Sequence, residues 1–248
     1  MRHVRSACLT MLPVATLLVA SQPAQASPLA YEGFSLPLAA PFHGGAGFSG
    51  PWNNDLAPTL QGYSWSDSTL RITGLQASGG SVSGDASDLT FSLASRNLST
   101  FVATYPTVYV SFLVQPRGTL NEGAAGGFFG LFLRGSSGYL FIGKPGAGAV
   151  DQYVLETLGG AAQVASGVPV VLGRTVLLVM KAQFTPANDV FTLYVDPPVK
   201  GSEPASGAVK SDLDLGPLSA LGIYSGGAFA IDEIRVGTTY ADVVVPSK

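Results

Sequence analysis

Short runs of apolar, β-branched and aromatic residues recur along most of this chain, separated by Gly, Pro, Ser and Asp. The runs cover residues 69–73, 89–93, 107–114, 127–134, 139–142, 152–157, 174–184, 189–195, 218–224 and 229–236. We find no segment in which apolar residues repeat at the helical spacing of 3.6 with polar residues between them. Runs of this length, bounded by turn residues, are typical of β-strands and favour an all-β chain.

Four segments allow a more specific prediction. Residues 174–184 are mostly apolar, which predicts a central strand buried on both faces. The Gly and Ser residues at 135–138 predict a hairpin turn between two strands. A single helical turn is expected near 95–99. The Pro, Gly, Ser and Lys content of 197–217 predicts a long surface loop.

The order of these elements narrows the fold class. No helical pattern stands between successive strands, so a parallel sheet built from strand–helix–strand units is disfavoured. Many short strands at fairly even spacing, with turn residues between them, are typical of an antiparallel sandwich or barrel. The pattern therefore predicts a single all-β sandwich or barrel.

The first 26 residues have the pattern of an export signal. Residues 1–5 are basic, 7–20 are mostly apolar, and Ala24 and Ala26 place small residues before a cleavage site. The apolar run is shorter than the roughly 18 residues that a membrane-spanning helix needs, although an uncleaved anchor is the alternative. We expect cleavage after Ala26, leaving 27–248 as a single sandwich domain that is secreted, periplasmic or held at the cell surface.

Charge and cysteine content exclude several classes of partner and site. The only cysteine is Cys8, inside the predicted signal, so the exported chain has no disulfide, thiolate metal site or catalytic thiol. Lys and Arg number 13 against 16 Asp and Glu, and the basic residues are scattered singly. Nucleic-acid binding requires a basic stripe, so it is not expected. No segment after the signal is long and apolar enough to cross a membrane.

Segments near both ends of the predicted domain resemble a known family. They are YEGF at 31–34, GGAGFSGPW at 44–52, DVFTLYVDP at 189–197 and IDEIRVGTTYADV at 231–243. Together they resemble the concanavalin A-like (laminin-G-like) jelly-roll domains of exported bacterial proteins. The resemblance implies two antiparallel sheets, one of them concave, with the first and last strands adjacent. It also implies a fold that binds or cuts glycans in many cases, although a fold alone does not establish a function.

The resemblance further implies a structural metal site. In many sandwiches of this shape, a carboxylate near the first strand and one on the last strand share a calcium ion with loop carbonyls. The matching positions here are Glu32 and Asp232. The alternative is that Asp232 caps a turn or pairs with Arg235 while Glu32 is solvated.

Residues suited to catalysis are few. The related glucan hydrolases carry three acids in a Glu-x-Asp-x-x-Glu strand, which alternation places on one face. That spacing is absent, and Glu156 stands alone in its strand. His43 is the one histidine after the signal, which argues against a serine triad or a zinc site. Two distant acids brought together by the fold remain an alternative.

Aromatic residues supply a binding hypothesis instead. Sugar rings stack on exposed aromatic side chains. Trp52, Tyr63 and Trp65 lie among Gly, Ser, Asn and Asp residues, so we predict that they lie on loops and contact a glycan, against the alternative that they pack in the core. The leading hypothesis is an exported, non-catalytic module that binds polysaccharide or cell-surface glycan. A glycan hydrolase or lyase with an unusual site and a purely structural surface protein are the alternatives.

Overall fold

The computed structural model describes residues 27–35, 44–53, 62–86, 91–99, 102–146, 151–158 and 161–247. The predicted signal and His43 lie outside these residues. Within them the chain forms β1 Ala30–Glu32, β2 Tyr63–Ser66, β3 Ser81–Gly84, β4 Ser92–Asn97, β5 Thr107–Pro116, β6 Phe129–Arg134, β7 Tyr139–Lys144, β8 Gln152–Thr157, β9 Ala161–Pro169, β10 Val176–Gln183, β11 Asp189–Val195, β12 Ala208–Leu213, β13 Ala220–Ser225 and β14 Phe229–Gly237. Two 3₁₀ turns, Val102–Thr104 and Ala124–Gly126, and one short helix, α1 Tyr240–Val243, complete the described elements.

The strands form two antiparallel sheets, which confirms the predicted jelly-roll sandwich. The eight-stranded sheet has the order β12-β11-β10-β5-β14-β3-β2, and β1 also pairs with β14. The six-stranded sheet has the order β4-β13-β6-β7-β8-β9. Along one edge of β14, residues 229–231 pair with β3 and residues 234–236 pair with β1. The first and last strands are therefore adjacent, as the resemblance implied.

The main core lies between the two sheets. Alternate residues of each strand point into it, because successive side chains of a strand lie on opposite faces. Phe112, Leu131, Ile142, Leu178 and Phe229 are among its fully buried members. Burial of large apolar side chains stabilises the sandwich by about 1.5–3 kcal/mol for each one fully buried, which offsets the absence of a disulfide.

A second apolar core covers the outer face of the eight-stranded sheet. Leu70 and Leu75, from the segment between β2 and β3, pack there with Tyr240 and Val243 of α1 on strand residues such as Leu113. The prediction of a strand at 69–73 is therefore wrong, because these residues form part of an irregular covering segment rather than a sheet.

Other local predictions had mixed outcomes. The central strand at 174–184 is confirmed as β10, which lies between β5 and β11 with both faces buried. The helical turn expected near 95–99 is wrong, since residues 92–97 form β4. The loop predicted at 197–217 contains β12, an edge strand of the eight-stranded sheet. No helix within the described residues is long and apolar enough to cross a membrane.

Candidate functional site: the outer face of the six-stranded sheet

The six-stranded sheet carries aromatic side chains on the face that points away from the core. In β6 and β7, Leu131, Leu133, Leu140 and Ile142 face the core, so the residues that alternate with them point outward. The aromatic residues among them, together with Tyr224 of β13, Phe128 before β6 and Phe91 before β4, form two groups of ring contacts. One group is Phe91, Phe128, Phe141 and Tyr224, the other is Phe132 and Tyr139, and the strand pairing of Phe132 with Phe141 places the groups side by side. We call this set the outer aromatic face; it comprises Phe91, Phe128, Phe132, Tyr139, Phe141 and Tyr224.

The outer aromatic face has a buried floor and two exposed ends. Phe132 and Phe141 are directly opposite one another in the β6–β7 ladder and are almost fully buried. Tyr139 lies 6.2 Å from Phe132 between ring centroids, and 43% of its surface is exposed. At the other end Phe91 packs on Phe128 at 5.5 Å and is 52% exposed. The face therefore offers two accessible ring surfaces on a rigid aromatic base.

Glycine makes room for this base. Gly222 of β13 is paired with Phe132, and a β-carbon at position 222 would lie 2.2 Å from an atom of the Phe132 ring. A side chain of any kind at this position would therefore displace the ring. The Gly222 backbone instead allows Phe132 to lie across the neighbouring strand.

Polar side chains border the Tyr139 end. Arg134 is directly opposite Tyr139 in the β6–β7 ladder, and its Nη2 donates to Oδ1 of Asn97 at 2.7 Å. Asn97 and Arg134 are the cross-strand partners of Ala220 on its two sides, so their side chains lie on the same outward face of the sheet. Ser136 and Ser137 are exposed on the adjoining turn. This polar border comprises Asn97, Arg134, Ser136 and Ser137.

One carboxylate belongs to the same face. Glu156 of β8 is paired with Phe141, and its Oε2 accepts a hydrogen bond from Nε2 of Gln163 at 2.7 Å. Burial raises the pKa of Glu156, while the Gln163 hydrogen bond and the charge of Lys210 act in the opposite direction. Glu156 is the single acidic residue in the six strands of this sheet. A second carboxylate opposite it is therefore not supplied by these strands.

The three aromatic residues predicted to bind a glycan lie elsewhere. Trp52 and Tyr63 are buried in the main core, which corrects the expectation that they lie on exposed loops. Nε1 of Trp52 donates to Glu32 at 3.1 Å, and the hydroxyl of Tyr63 donates to the carbonyl of Ser92 at 2.7 Å. Trp65 is half-buried against the same core, and its Nε1 donates to the carbonyl of Phe34 at 2.7 Å. Their polar edges satisfy internal acceptors rather than facing a ligand.

Glu32 is held by protein donors. Its Oε2 accepts from Nη1 of Arg96 at 2.6 Å and from Trp52, and its Oε1 accepts from the backbone N–H of Phe34 at 2.9 Å. The same Arg96 donates to the backbone carbonyls of Gly44 and Gly50. The Arg96 guanidinium thus contacts one carboxylate oxygen and two loop carbonyl oxygens. Oxygen atoms of these kinds are the ligands that a calcium ion would otherwise bind.

Asp232, on the opposite face of the sheet, is held by a hydroxyl and backbone N–H groups rather than by a guanidinium. Its Oδ2 accepts from the Thr69 hydroxyl at 2.6 Å and the Leu70 N–H at 2.9 Å. Its partner across the β5–β14 ladder is Leu113, a member of the outer core. Burial raises the pKa of Asp232 to about 8, against the lowering effect of the Thr69 hydrogen bond.

These positions do not fit a calcium ion shared by Glu32 and Asp232. Glu32 is paired with Ile234, which faces the main core, whereas Asp232 faces the outer core. The two carboxylates therefore point to opposite faces of the sheet. In the parts of the chain that the structure describes, no group of three or more His, Cys, Asp and Glu side chains is arranged to hold a metal ion.

Comparisons with known proteins are limited to structure. No protein-family model matches the sequence, and no curated protein sequence matches it. The chain is similar in structure to an endo-1,3-β-glucanase from Streptomyces sioyaensis, with a TM-score of 0.48, 10% identity, 88% of this chain covered and 98% of that one. For lectin II from Ulex europaeus the TM-score is 0.39, with 10% identity and 71% and 93% of the two chains covered. For a bifunctional GH43-CE protein from Bacteroides eggerthii, the TM-score is 0.37 and the identity 13%. That match covers 76% of this chain, which spans 24% of the Bacteroides chain.

The strand topology identifies the architecture. Two stacked antiparallel sheets, with β1 and β14 side by side, are what the sequence resemblance implied. The fold is a two-sheet antiparallel jelly-roll sandwich. The outer face of its eight-stranded sheet is covered by α1 and the segment between β2 and β3, whereas the six-stranded sheet carries the outer aromatic face.

Proposed function

We propose that this protein is exported and binds a polysaccharide or cell-surface glycan across the outer aromatic face without cleaving it. The observation that carries the proposal is the pair of exposed rings, Tyr139 and Phe91, at opposite ends of one aromatic surface. The corresponding face of the other sheet is covered by the outer core, and among the described residues no aromatic ring on that face is one of the exposed large apolar side chains.

Stacking chemistry supports this proposal. The apolar faces of sugar rings pack on aromatic side chains, which bury about 150–250 Å² each when fully covered. Tyr139 and Phe91 already pack on other rings, so they lose little conformational freedom when a ligand binds. The polar border beside Tyr139 supplies donors and acceptors for sugar hydroxyls. Aromatic stacking with a few polar groups for orientation is the common composition of small-ligand sites.

The acid content of the sheet favours binding over hydrolysis. Retaining glycoside hydrolysis usually employs two carboxyl groups about 5 Å apart, and inverting hydrolysis two groups about 6.5–9.5 Å apart. Glu156 is the one acidic residue of the six strands, and Gln163 occupies one of its oxygens. We therefore assign Glu156 a structural role in this proposal. If the protein releases sugar, Glu156 becomes a candidate general acid instead.

A binding assay with product analysis tests the proposal. The secreted protein is mixed with a panel of insoluble and immobilised polysaccharides, and both the bound protein and the sugar in the supernatant are measured. Saturable binding without sugar release is expected. Sugar release would support the hydrolase or lyase alternative. A protein that binds none of the panel and releases nothing would contradict the proposal and favour a structural surface protein.

A further inference from the structure

We infer that the polar border of the outer aromatic face selects sugars that carry a carboxylate, so that the preferred ligand is a polyuronate rather than a neutral glycan. This inference depends on the proposed glycan-binding function and names the class of glycan. The residues that carry it are Arg134, Asn97 and Tyr139.

Among the residues that the structure describes, Arg134 has no counter-charge on this face. In the described part of the chain, its one side-chain hydrogen bond is the contact from Nη2 to Asn97, and no carboxylate lies within ion-pair distance. No other described residue accepts a hydrogen bond from its guanidinium, so the remaining N–H groups can donate to a ligand. Arginine presents planar paired donors that match the geometry of a carboxylate.

The other basic residues of the same sheet have different roles. Arg96 points into the main core and pairs with Glu32. Lys144 is buried, and its Nζ donates to the carbonyls of Gly126 and Pro145. Glu156 is buried beside Gln163, whose Nε2 donates to its Oε2 at 2.7 Å. Among the six strands of this sheet, Arg134 is therefore the basic residue that lies on the outer face, and it has no ion pair with a described residue.

The distance between the side chains of Arg134 and Tyr139 suits a single sugar ring. The two residues are directly opposite in the ladder, where β-carbons on one face are about 4.5–5.5 Å apart. A pyranose ring stacked on Tyr139 would hold a carboxylate substituent within reach of the guanidinium. Because Oδ1 of Asn97 accepts from Arg134, the Nδ2 group of Asn97 is left as a second donor for the ligand.

A pair of polymers with the same backbone tests this selectivity. Polygalacturonate carries ionised carboxylates, and its fully methyl-esterified form carries none. We expect the secreted protein to bind polygalacturonate or alginate more tightly than the esterified polymer, with affinity that falls as salt increases. Arg134→Gln should weaken binding to the ionised polymer about tenfold, the loss of one charge-assisted contact, and should leave binding to the ester unchanged.

Arg71→Gln is the matched control. Arg71 is exposed on the segment that covers the eight-stranded sheet, so it lies away from the proposed site. Equal binding of ionised and esterified polymers, binding of neutral glycans alone, or equal loss in the Arg134 and Arg71 variants would each overturn the carboxylate preference and leave glycan binding intact. Failure to bind any polysaccharide would overturn both proposals. Unchanged melting temperatures of the two variants establish that folding is not the cause.

Discussion

The carboxylate of Glu32 and the guanidinium of Arg96 lie 2.6 Å apart and connect the two sheets of the sandwich. Glu32 belongs to β1 of the eight-stranded sheet and Arg96 to β4 of the six-stranded sheet, and both side chains are at least 96% buried. Arg96 also holds the segment around Gly44 and Gly50 through their carbonyls. One buried ion pair therefore fixes β1, β4 and the connecting segment relative to each other.

Removing the charge of Glu32 should destabilise the protein strongly. Glu32→Gln leaves the Arg96 guanidinium buried without a counter-charge, which costs about 3–5 kcal/mol in comparable pairs. Arg174→Gln is the control, because the Arg174–Asp196 pair is exposed and such pairs contribute about 0–1 kcal/mol. Denaturant unfolding measures both variants. A free energy of unfolding for Glu32→Gln equal to that of Arg174→Gln would contradict the assigned role of this pair.

Calcium should not stabilise the protein by binding Glu32. Arg96 already occupies the oxygens that a calcium ion would bind, so the melting temperature of the wild-type protein should be the same in EDTA and in excess calcium. A thermal melt in the two buffers checks this. A reproducible rise in melting temperature with calcium would show that the account of Glu32 and Asp232 as hydrogen-bond acceptors is incomplete.

Stability should fall as pH rises from about 4 toward 8. Burial raises the pKa of Asp232 to about 8 in the folded state, above its value of 3.8 in an unfolded chain. Between these values the folded protein binds more protons than the unfolded chain, so each rise in pH favours unfolding. Below the unfolded pKa both states are protonated and the effect is absent.

Asp232→Asn isolates this contribution. The amide cannot ionise, so the decrease in free energy of unfolding between pH 5 and pH 8 should be smaller than in the wild type. The comparison concerns the slope, because the amide also changes hydrogen bonds with Leu70 and Glu233 at every pH. Urea unfolding at several pH values measures it. Identical slopes for the two proteins would mean that Asp232 is already ionised throughout this range.

A methyl group at position 222 should disturb the outer aromatic face. Gly222→Ala places a β-carbon 2.2 Å from the Phe132 ring and 2.5 Å from the Ala94 carbonyl, so the ring must move. Overpacking of this kind costs about 1–3 kcal/mol. Gly138→Ala is the control, since its nearest atom is the flexible Leu213 side chain at 3.2 Å. Denaturant unfolding and near-UV circular dichroism should report a larger change for Gly222→Ala.

The sequence was sufficient to predict the architecture because strand length and turn residues are local properties. The apolar run at 174–184 indicated a strand buried on both sides, and β10 is such a strand. The run at 69–73 alternates between polar and apolar residues, as a strand would, but it pairs with no strand in the described part of the chain and forms part of the covering segment. β12 was missed because its residues are mostly polar or exposed, and they follow a segment rich in Pro and Gly.

The candidate site was harder to predict, because alternation does not state which face of a strand is the outer one. Residues 127–134 and 139–142 are apolar at almost every position, so both of their faces are apolar. The presence of apolar residues on both faces was the sequence signal that could have predicted an aromatic outer surface at Phe132, Tyr139 and Phe141. Trp52 and Tyr63 were assigned to loops from their polar neighbours, yet their rings complete the main core.

Glu32 and Asp232 do not lie together as the predicted metal pair requires, because of a register shift in β14 that the sequence does not show. Glu32 and Asp232 are on adjacent strands, as expected from the resemblance. The β14 ladder, however, shifts register between Asp232 and Arg235, and Glu233 adopts a left-handed φ of 55° there. This irregularity places Asp232 and Ile234 on opposite faces, and Glu32 shares the face of Ile234.

The most direct test of the account removes the exposed rings from the outer aromatic face. Tyr139→Ala and Phe91→Ala should each weaken glycan binding by roughly tenfold, as expected for loss of about 1–2 kcal/mol of stacking. Leu172→Ala is the matched control, because Leu172 is 48% exposed on a turn outside this face. The measurement is a binding isotherm of each folded variant on the polysaccharide that the wild type binds. The account predicts weakened binding in both ring variants and wild-type binding in the control, whereas wild-type binding in Tyr139→Ala and Phe91→Ala would contradict it.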